Sequence, residues 1–372
     1  MSLSKYKSDI TFQFFLFLIR KHVHRDSPNY IDPFNINNTT KVDFNRLFTL
    51  ITTHKVELVV LPILKNMNLP EFNYDRLCSR AKQIVRKQLL MEQVLVNIMQ
   101  KLNENSIENI VFKGVVLDKK LYGNQSKRVY RDIDLLIKDT GIAKTHKLLL
   151  NMGFKLGKNS RYSPDFIKKY PTVKQGIKDL TYIHTEFNII LELHWRISPI
   201  NNLKIDLCDE NFFEVFKYGD KSYRSLKNEY ELTYLIQHGA GSGWHRLKWL
   251  IDIVDYIKLI DIEKQLFFKI MKESKRYNSL LLSDLNFILK ETLMFEDSIL
   301  ELNAKIHKNY LLKNYRQKYI INKMHCCNPS IKELTFKELF YGFVISSNKL
   351  KYLKTYAIGF YYKGKAIKKN KY

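Results

Sequence analysis

Apolar clusters at helical spacing dominate the first hundred residues. Ser8 to His22 and Val42 to Met67 carry two of them, separated by the polar, proline-containing stretch from His24 to Thr40. From Tyr74 to Asn103, Met91, Leu95, Ile98 and Leu102 recur at three- to four-residue intervals among Lys and Gln, which predicts one long amphipathic helix. Beyond the polar connector Asn103 to Asn109 the period changes. Ile110 to Phe112 reads as a short strand, Gly114 to Tyr122 as a helix and Gly123 to Tyr130 as a loop. Arg131 to Ile137 reads as a second strand and Ile142 to Met152 as a second helix. A poorly patterned insertion follows, and then Leu180 to Ile183 and Asn188 to Ile197 read as a strand hairpin. From Glu229 the helical period returns, with Leu247, Leu250, Ile251, Val254 and Ile257 on one stripe and Lys248, Asp252, Asp255 and Lys258 on a face expected to be solvated.

This order predicts four regions: a helical one over 1–105, a mixed core over 106–225, a second helical one over 226–335, and a basic aromatic tail over 336–372. The last 34 residues, Leu339 to Tyr372, hold eight lysines and no acid. At 372 residues, 45% of them hydrophobic, the chain can bury more than one core and is not disordered by composition.

Lys and Arg number 62 against 37 acids, a formal net charge of +25. Such an excess suits polyanionic partners. An AT-rich coding sequence explains the same lysines equally well, so charge alone names no substrate. Cys78, Cys208, Cys326 and Cys327 show no metal-binding spacing and read as reduced thiols. The apolar stretch from Ile10 to Ile19 falls short of the roughly 18 residues a spanning helix needs. The expected location is the cytoplasm, with the tail offering a contact to the inner membrane face or to nucleic acid.

The strand at 131–137 carries the most chemistry. Side chains alternate along a strand, so Asp132 and Asp134 share one face while Ile133, Leu135 and Ile137 share the other. Two adjacent carboxylates repel unless a cation sits between them, and Mg²⁺ prefers such hard oxygen donors. The bland reading is a strand with a polar outer face, and Asp is disfavoured in strands. In 188–197, Glu192, His194 and Arg196 alternate with Leu191, Leu193 and Trp195. If the two strands are neighbours, Glu192 becomes a third acid of the set that two-metal phosphoryl chemistry requires; otherwise it pairs with a surface lysine. Lys113-Gly114 lies between a strand and a helix start, where free backbone N–H groups suit phosphate. Lys113 is placed to reach a triphosphate, and Arg128 and Arg131 to neutralise leaving pyrophosphate.

Taken in order, Lys113-Gly114, Leu121-Tyr122, Arg128 to Leu136, and Glu192-Leu193-His194-Trp195 resemble the minimal nucleotidyltransferases of the DNA polymerase beta superfamily, most closely an uncharacterised bacterial branch. Trp244 to Leu250 with Asp252 is similar to that branch's helical signature. The resemblance spans roughly Ile110 to Ile260. It implies an α+β fold, with a small mixed β-sheet nucleotidyltransferase core flanked by N-terminal and C-terminal helical regions. It further implies transfer of an NMP from an NTP to an acceptor, with Asp132, Asp134 and Glu192 as catalytic and metal-holding acids. Two Mg²⁺ ions are expected, Mn²⁺ being the alternative. His194, His245 and Arg246 are candidate substrate contacts. The acceptor classes are a sugar (as in surface polysaccharide synthesis), a peptide or protein, or RNA such as the 3′ end of tRNA. A catalytically silent nucleotide- or RNA-binding module is the rival of a different class. Two positions depart from the family pattern: Val115 follows Gly114 where the turn usually has Ser or Gly, and the third acid is Glu rather than Asp.

One further signal is set aside. The glycine-rich run from His238 to His245 follows a helical pattern rather than a strand, which fails the context test for a dinucleotide loop; it reads as a flexible connection between helices.

Overall fold

The computed structural model describes residues 6–67, 69–157, 162–175, 177–197, 203, 205–273, 275–300 and 310–325, with scattered positions between 341 and 358. Most of the basic tail, and Cys326 and Cys327, lie outside them. The contacts divide the chain into a sheet unit, mainly 85–124 and 130–231, and a helical unit from residues up to 84, 125–129 and 232–347.

In the sheet unit, β1 (Asn109–Val111), β2 (Asp132–Ile137), β3 (Phe154–Leu156), β4 (Asp179–His184) and β5 (Ile190–His194) form one mixed sheet in the order β1-β2-β5-β4-β3. β2 and β5 run parallel, and the other pairs are antiparallel. The alternation read from the sequence decides the faces. Ile133, Leu135 and Ile137 of β2 and Leu191 and Leu193 of β5 are buried in one core with Met91, Leu95, Ile98 and Leu102 of the long helix Tyr74–Glu104. The helices Gly114–Tyr122, Ile142–Asn151 and Pro164–Lys169 add Val115, Leu149 and Phe166 to that core. The insertion that showed no clear period therefore holds β3 and a short helix, the latter started by Ser163, whose hydroxyl accepts from Phe166 N. A second hairpin, β6 (Phe213–Tyr218) and β7 (Lys221–Leu226), was also absent from the sequence reading. Its two-residue turn uses Gly219 at φ +60°, the sign that tight hairpin turns require.

We number the helices α1 (Ile10–Val23), α2 (Phe44–His54), α3 (Glu57–Met67), α4 (Tyr74–Glu104), α5 (Gly114–Tyr122), α6 (Ile142–Asn151), α7 (Pro164–Lys169), α8 (Asn228–Gly241), α9 (Leu247–Leu259), α10 (Lys264–Glu273), α11 (Lys275–Ile288) and α12 (Tyr310–His325). Asp9 and Asp43 cap α1 and α2 by accepting backbone N–H bonds from Phe12 and Arg46. The 42–67 cluster is two helices, because Lys55 adopts a left-handed conformation at φ 56° and ends α2.

The face of α9 expected to be solvated is buried. Asp252 receives Arg128 Nε at 3.0 Å, and Asp255 receives His22 Nε2 at 2.7 Å and Arg25 Nη1 at 2.8 Å. Lys248 is also buried and donates to the carbonyl of Val129 at 2.6 Å. Each charge has a distant partner, which lets it leave water. Nor is the glycine-rich run an open connection. α8 continues through Gly241, and a Cβ on Gly239 would lie 2.1 Å from the ring of fully buried Trp244. Among the described residues no helix is long and apolar enough to cross a membrane.

Candidate active site

The parallel register of β2 and β5 sets Asp134 beside Glu192 and Leu136 beside His194. Registered side chains share a face, so the acids meet on the side of the sheet away from the helical core. One oxygen of Asp134, one of Glu192 and one ring nitrogen of His194 all lie within 4.8 Å of one another.

Asp134 is 2% exposed. Its Oδ1 is 2.9 Å from Lys113 Nζ and 3.1 Å from His194 Nε2. Burial alone would push its pKa up. The charge of Lys113 and the hydrogen bond from His194 outweigh burial and hold the carboxyl well below the usual carboxylate range. Glu192 is half-buried, with Oε2 3.3 Å from the same Nε2. The hydrogen bond from His194 is the main cause of its lowered pKa, against burial and the nearby charge of Asp134. His194 is fully buried, and Phe112 lies against its ring edge at 5.1 Å between centroids.

Lys113 and Gly114 are held by an unusual backbone. Lys113 has φ 57° and ψ −146° at the N-cap of α5, and Gly114 has φ +41°. A Cβ at Gly114 would sit 3.2 Å from the carbonyl oxygen of Asp132, so glycine allows the turn to press against the start of β2. The opposite flank of α5 is anchored. Lys119 pairs with Glu92 at 3.2 Å, and Lys120 pairs with Glu214 at 2.7 Å and Glu231 at 2.9 Å.

The remaining sequence candidates fall as follows. Asp132 lies one pleat before Asp134 on the same face, half-buried and outside the three-residue ligand group. Arg131 is exposed. Arg128 belongs to the helical unit, where Asp252 matches its charge. His245 and Arg246 also belong to that unit. His245 Nδ1 is 2.8 Å from the carbonyl of Ser242, and Arg246 lies over the ring of Trp249 at 5.7 Å.

The sequence reading missed Asp179. It stands opposite His194 in the β4–β5 register, with Oδ2 3.6 Å from His194 Nδ1 and 2.6 Å from Lys178 Nζ. Counting back through the hairpin from its turn would have found it.

A family described as uncharacterised nucleotidyltransferase matches residues 40–285, about two thirds of the chain and the whole candidate site. The chain belongs to this nucleotidyltransferase family. The likeness of this chain to the crystal structure of lincosamide antibiotic adenylyltransferase LnuA, lincomycin-bound, is slight. It has a TM-score of 0.33 and 16% identity, over 45% of this chain and 97% of that one. Comparison with curated proteins gives no match.

The donor set at this site fits a divalent cation. Two carboxylates held this close need positive charge between them, part of which the Lys113 ammonium supplies here. Oxygen donors suit Mg²⁺, and a single imidazole nitrogen in the set also admits Mn²⁺.

Proposed function

We propose that the chain transfers a nucleoside monophosphate from an NTP to an acceptor, with release of pyrophosphate. The observation that carries this reading is the convergence of Asp134, Glu192 and His194 within 4.8 Å, with the Lys113 ammonium 2.9 Å from Asp134. In the step envisaged, the acceptor's nucleophile bonds to the α-phosphorus as the bond to the bridging oxygen of pyrophosphate breaks. Glu192, ionised and half open to water, takes the acceptor's proton. Lys113 and the backbone N–H groups that begin α5 receive phosphate charge. Asp132, Asp134 and Glu192 are the side chains that would hold Mg²⁺, in one or two ions, which when bound supplies Lewis-acid charge at the phosphoryl oxygens. His194 Nε2, 3.1 Å from Asp134 Oδ1 and 3.3 Å from Glu192 Oε2, is placed to orient both carboxylates.

A sugar, a peptide and an RNA end all present a suitable hydroxyl or amine, and the basic tail would favour a polyanion or an anionic membrane. Incubating the full chain with each NTP, Mg²⁺ and a panel of acceptors tests the reaction. Pyrophosphate release is expected from the wild type and is expected to vanish in Asp134→Ala and Asp132→Ala. Release that persists unchanged in both variants refutes the assignment. Mg²⁺-dependent NTP binding with no turnover on any acceptor would instead favour a silent binding module.

A further inference from the structure

Within the sheet unit, a cavity of about 420 Å³ opens at the far end of β2 and β5. Its walls include Ile137, Lys138, Lys174, Trp195, Arg196 and Asp206. That volume suits a small-molecule ligand or one end of a larger one.

The charges around it are unequal in their partners. Lys138 pairs with Glu108 at 2.7 Å, and Lys174 with Asp139 at 2.6 Å. Asp206 accepts the N–H of Cys208 at 2.9 Å. Arg196 stands apart. Its Nη2 donates to the carbonyl of Ile177 at 2.7 Å, its Nε is buried with no partner, and it has no carboxylate partner among the described residues. A guanidinium offers five donors in a planar fork that matches carboxylate and phosphate oxygens. Beside it, Trp195 is 9% exposed and its indole N–H is also buried without a partner.

Position links this cavity to the acids. β5 ends at His194 and the chain bends at Trp195, whose N–H donates to the carbonyl of Lys178 at 3.1 Å. Arg196 lies two residues beyond His194, just past the end of β5. The Lys113-Gly114 turn presses on Asp132 at one end of β2, whereas the cavity begins at Ile137, roughly 17 Å along the strand. Asp134 lies between the two. In-line displacement places the attacking and leaving oxygens on opposite sides of the phosphorus, and this arrangement provides a separate place for each.

We propose that the cavity is the acceptor subsite, and that it takes an acceptor bearing a carboxylate or phosphate group, bound by Arg196 and packed against Trp195. The assignment as acceptor subsite rests on the nucleotidyl-transfer reading; the anion site itself does not. Calorimetry on the full chain tests it, with a hexose phosphate, a hexuronate, inorganic phosphate and neutral hexose as probes. Each probe is titrated into the free chain and into the chain loaded with Mg²⁺ and a non-hydrolysable ATP analogue. The expected result is that at least one anionic probe binds the loaded chain and neutral hexose does not. Arg196→Gln should weaken that anion about tenfold or more, the loss of a charged hydrogen-bond partner, and leave the affinity for the ATP analogue unchanged. Arg196→Lys should recover part of the loss. The proposal is overturned if no anionic probe binds, if binding is indifferent to Arg196→Gln, or if that variant weakens the ATP analogue itself, which would assign Arg196 to the NTP phosphates. Failure of the ATP analogue to bind in the wild type refutes the transfer reading separately, because the anion arm is also measured on the free chain.

Discussion

Replacing Lys113 by Met removes the ammonium that neutralises Asp134 and keeps most of the side-chain volume. Asp134 is 2% exposed, and its Oδ1 would lose the ammonium now 2.9 Å away while keeping His194 Nε2 at 3.1 Å. Breaking a buried ion pair by deleting one partner costs about 3–5 kcal/mol. For a cooperative unit of this size, a loss of 3 kcal/mol corresponds to a fall of roughly 6–12 °C in midpoint. The carboxylate can regain a counter-charge by binding a divalent ion. The variant's melting point in chelator should therefore fall by that amount, and Mg²⁺ or Mn²⁺ should restore more of it than either raises the wild type. Thermal melts of full-length wild type and Lys113→Met, each with chelator and with saturating metal, check the argument. A variant that melts with the wild type in chelator, or gains no more from metal than the wild type does, refutes the role given to Lys113.

Two other outcomes are expected. Arg128→Met leaves Asp252 buried without its guanidinium and should destabilise the protein by about 3–5 kcal/mol, read from the melt of the helical unit; an unchanged melt with lost NTP turnover would return Arg128 to a phosphate-binding role. Asp134 and Glu192 both have folded-state pKa values below their unfolded ones, so their contribution to stability is complete above about pH 4 and is lost as pH falls through the folded values. Wild-type stability should therefore drop below about pH 4, and more steeply than that of Asp134→Asn, in urea titrations across acid pH.

Much of the site was legible because β2 and β5 each advertise their two faces by strict alternation. That was enough to group Asp134 with its strand neighbours and Glu192 with His194. Which strands lie side by side is a long-range fact, and only the structure supplies the Asp134–Glu192 register. Asp179 escaped because the strand read from the sequence began at Leu180, whereas β4 begins one residue earlier. The acids of α9 were misjudged for a related reason. Lysines three and four residues away looked like adequate local partners, whereas the pairs formed are with Arg128, His22 and Arg25, more than a hundred positions distant. The β6–β7 ribbon carries too many half-exposed positions to show a clean period.

The parallel pairing of β2 with β5 has a bearing on how the protein comes into being. Asp134 and Glu192 are neighbours in space but separated by 58 positions in the chain. The β4–β5 hairpin needs only local closure, while its docking beside β2 must close a much longer loop. Until that docking occurs the two acids occupy unrelated strands, so a nascent or half-assembled chain has no place to concentrate charge on a phosphate. Competence for chemistry therefore depends on the pairing that spans the longest stretch of chain in this sheet.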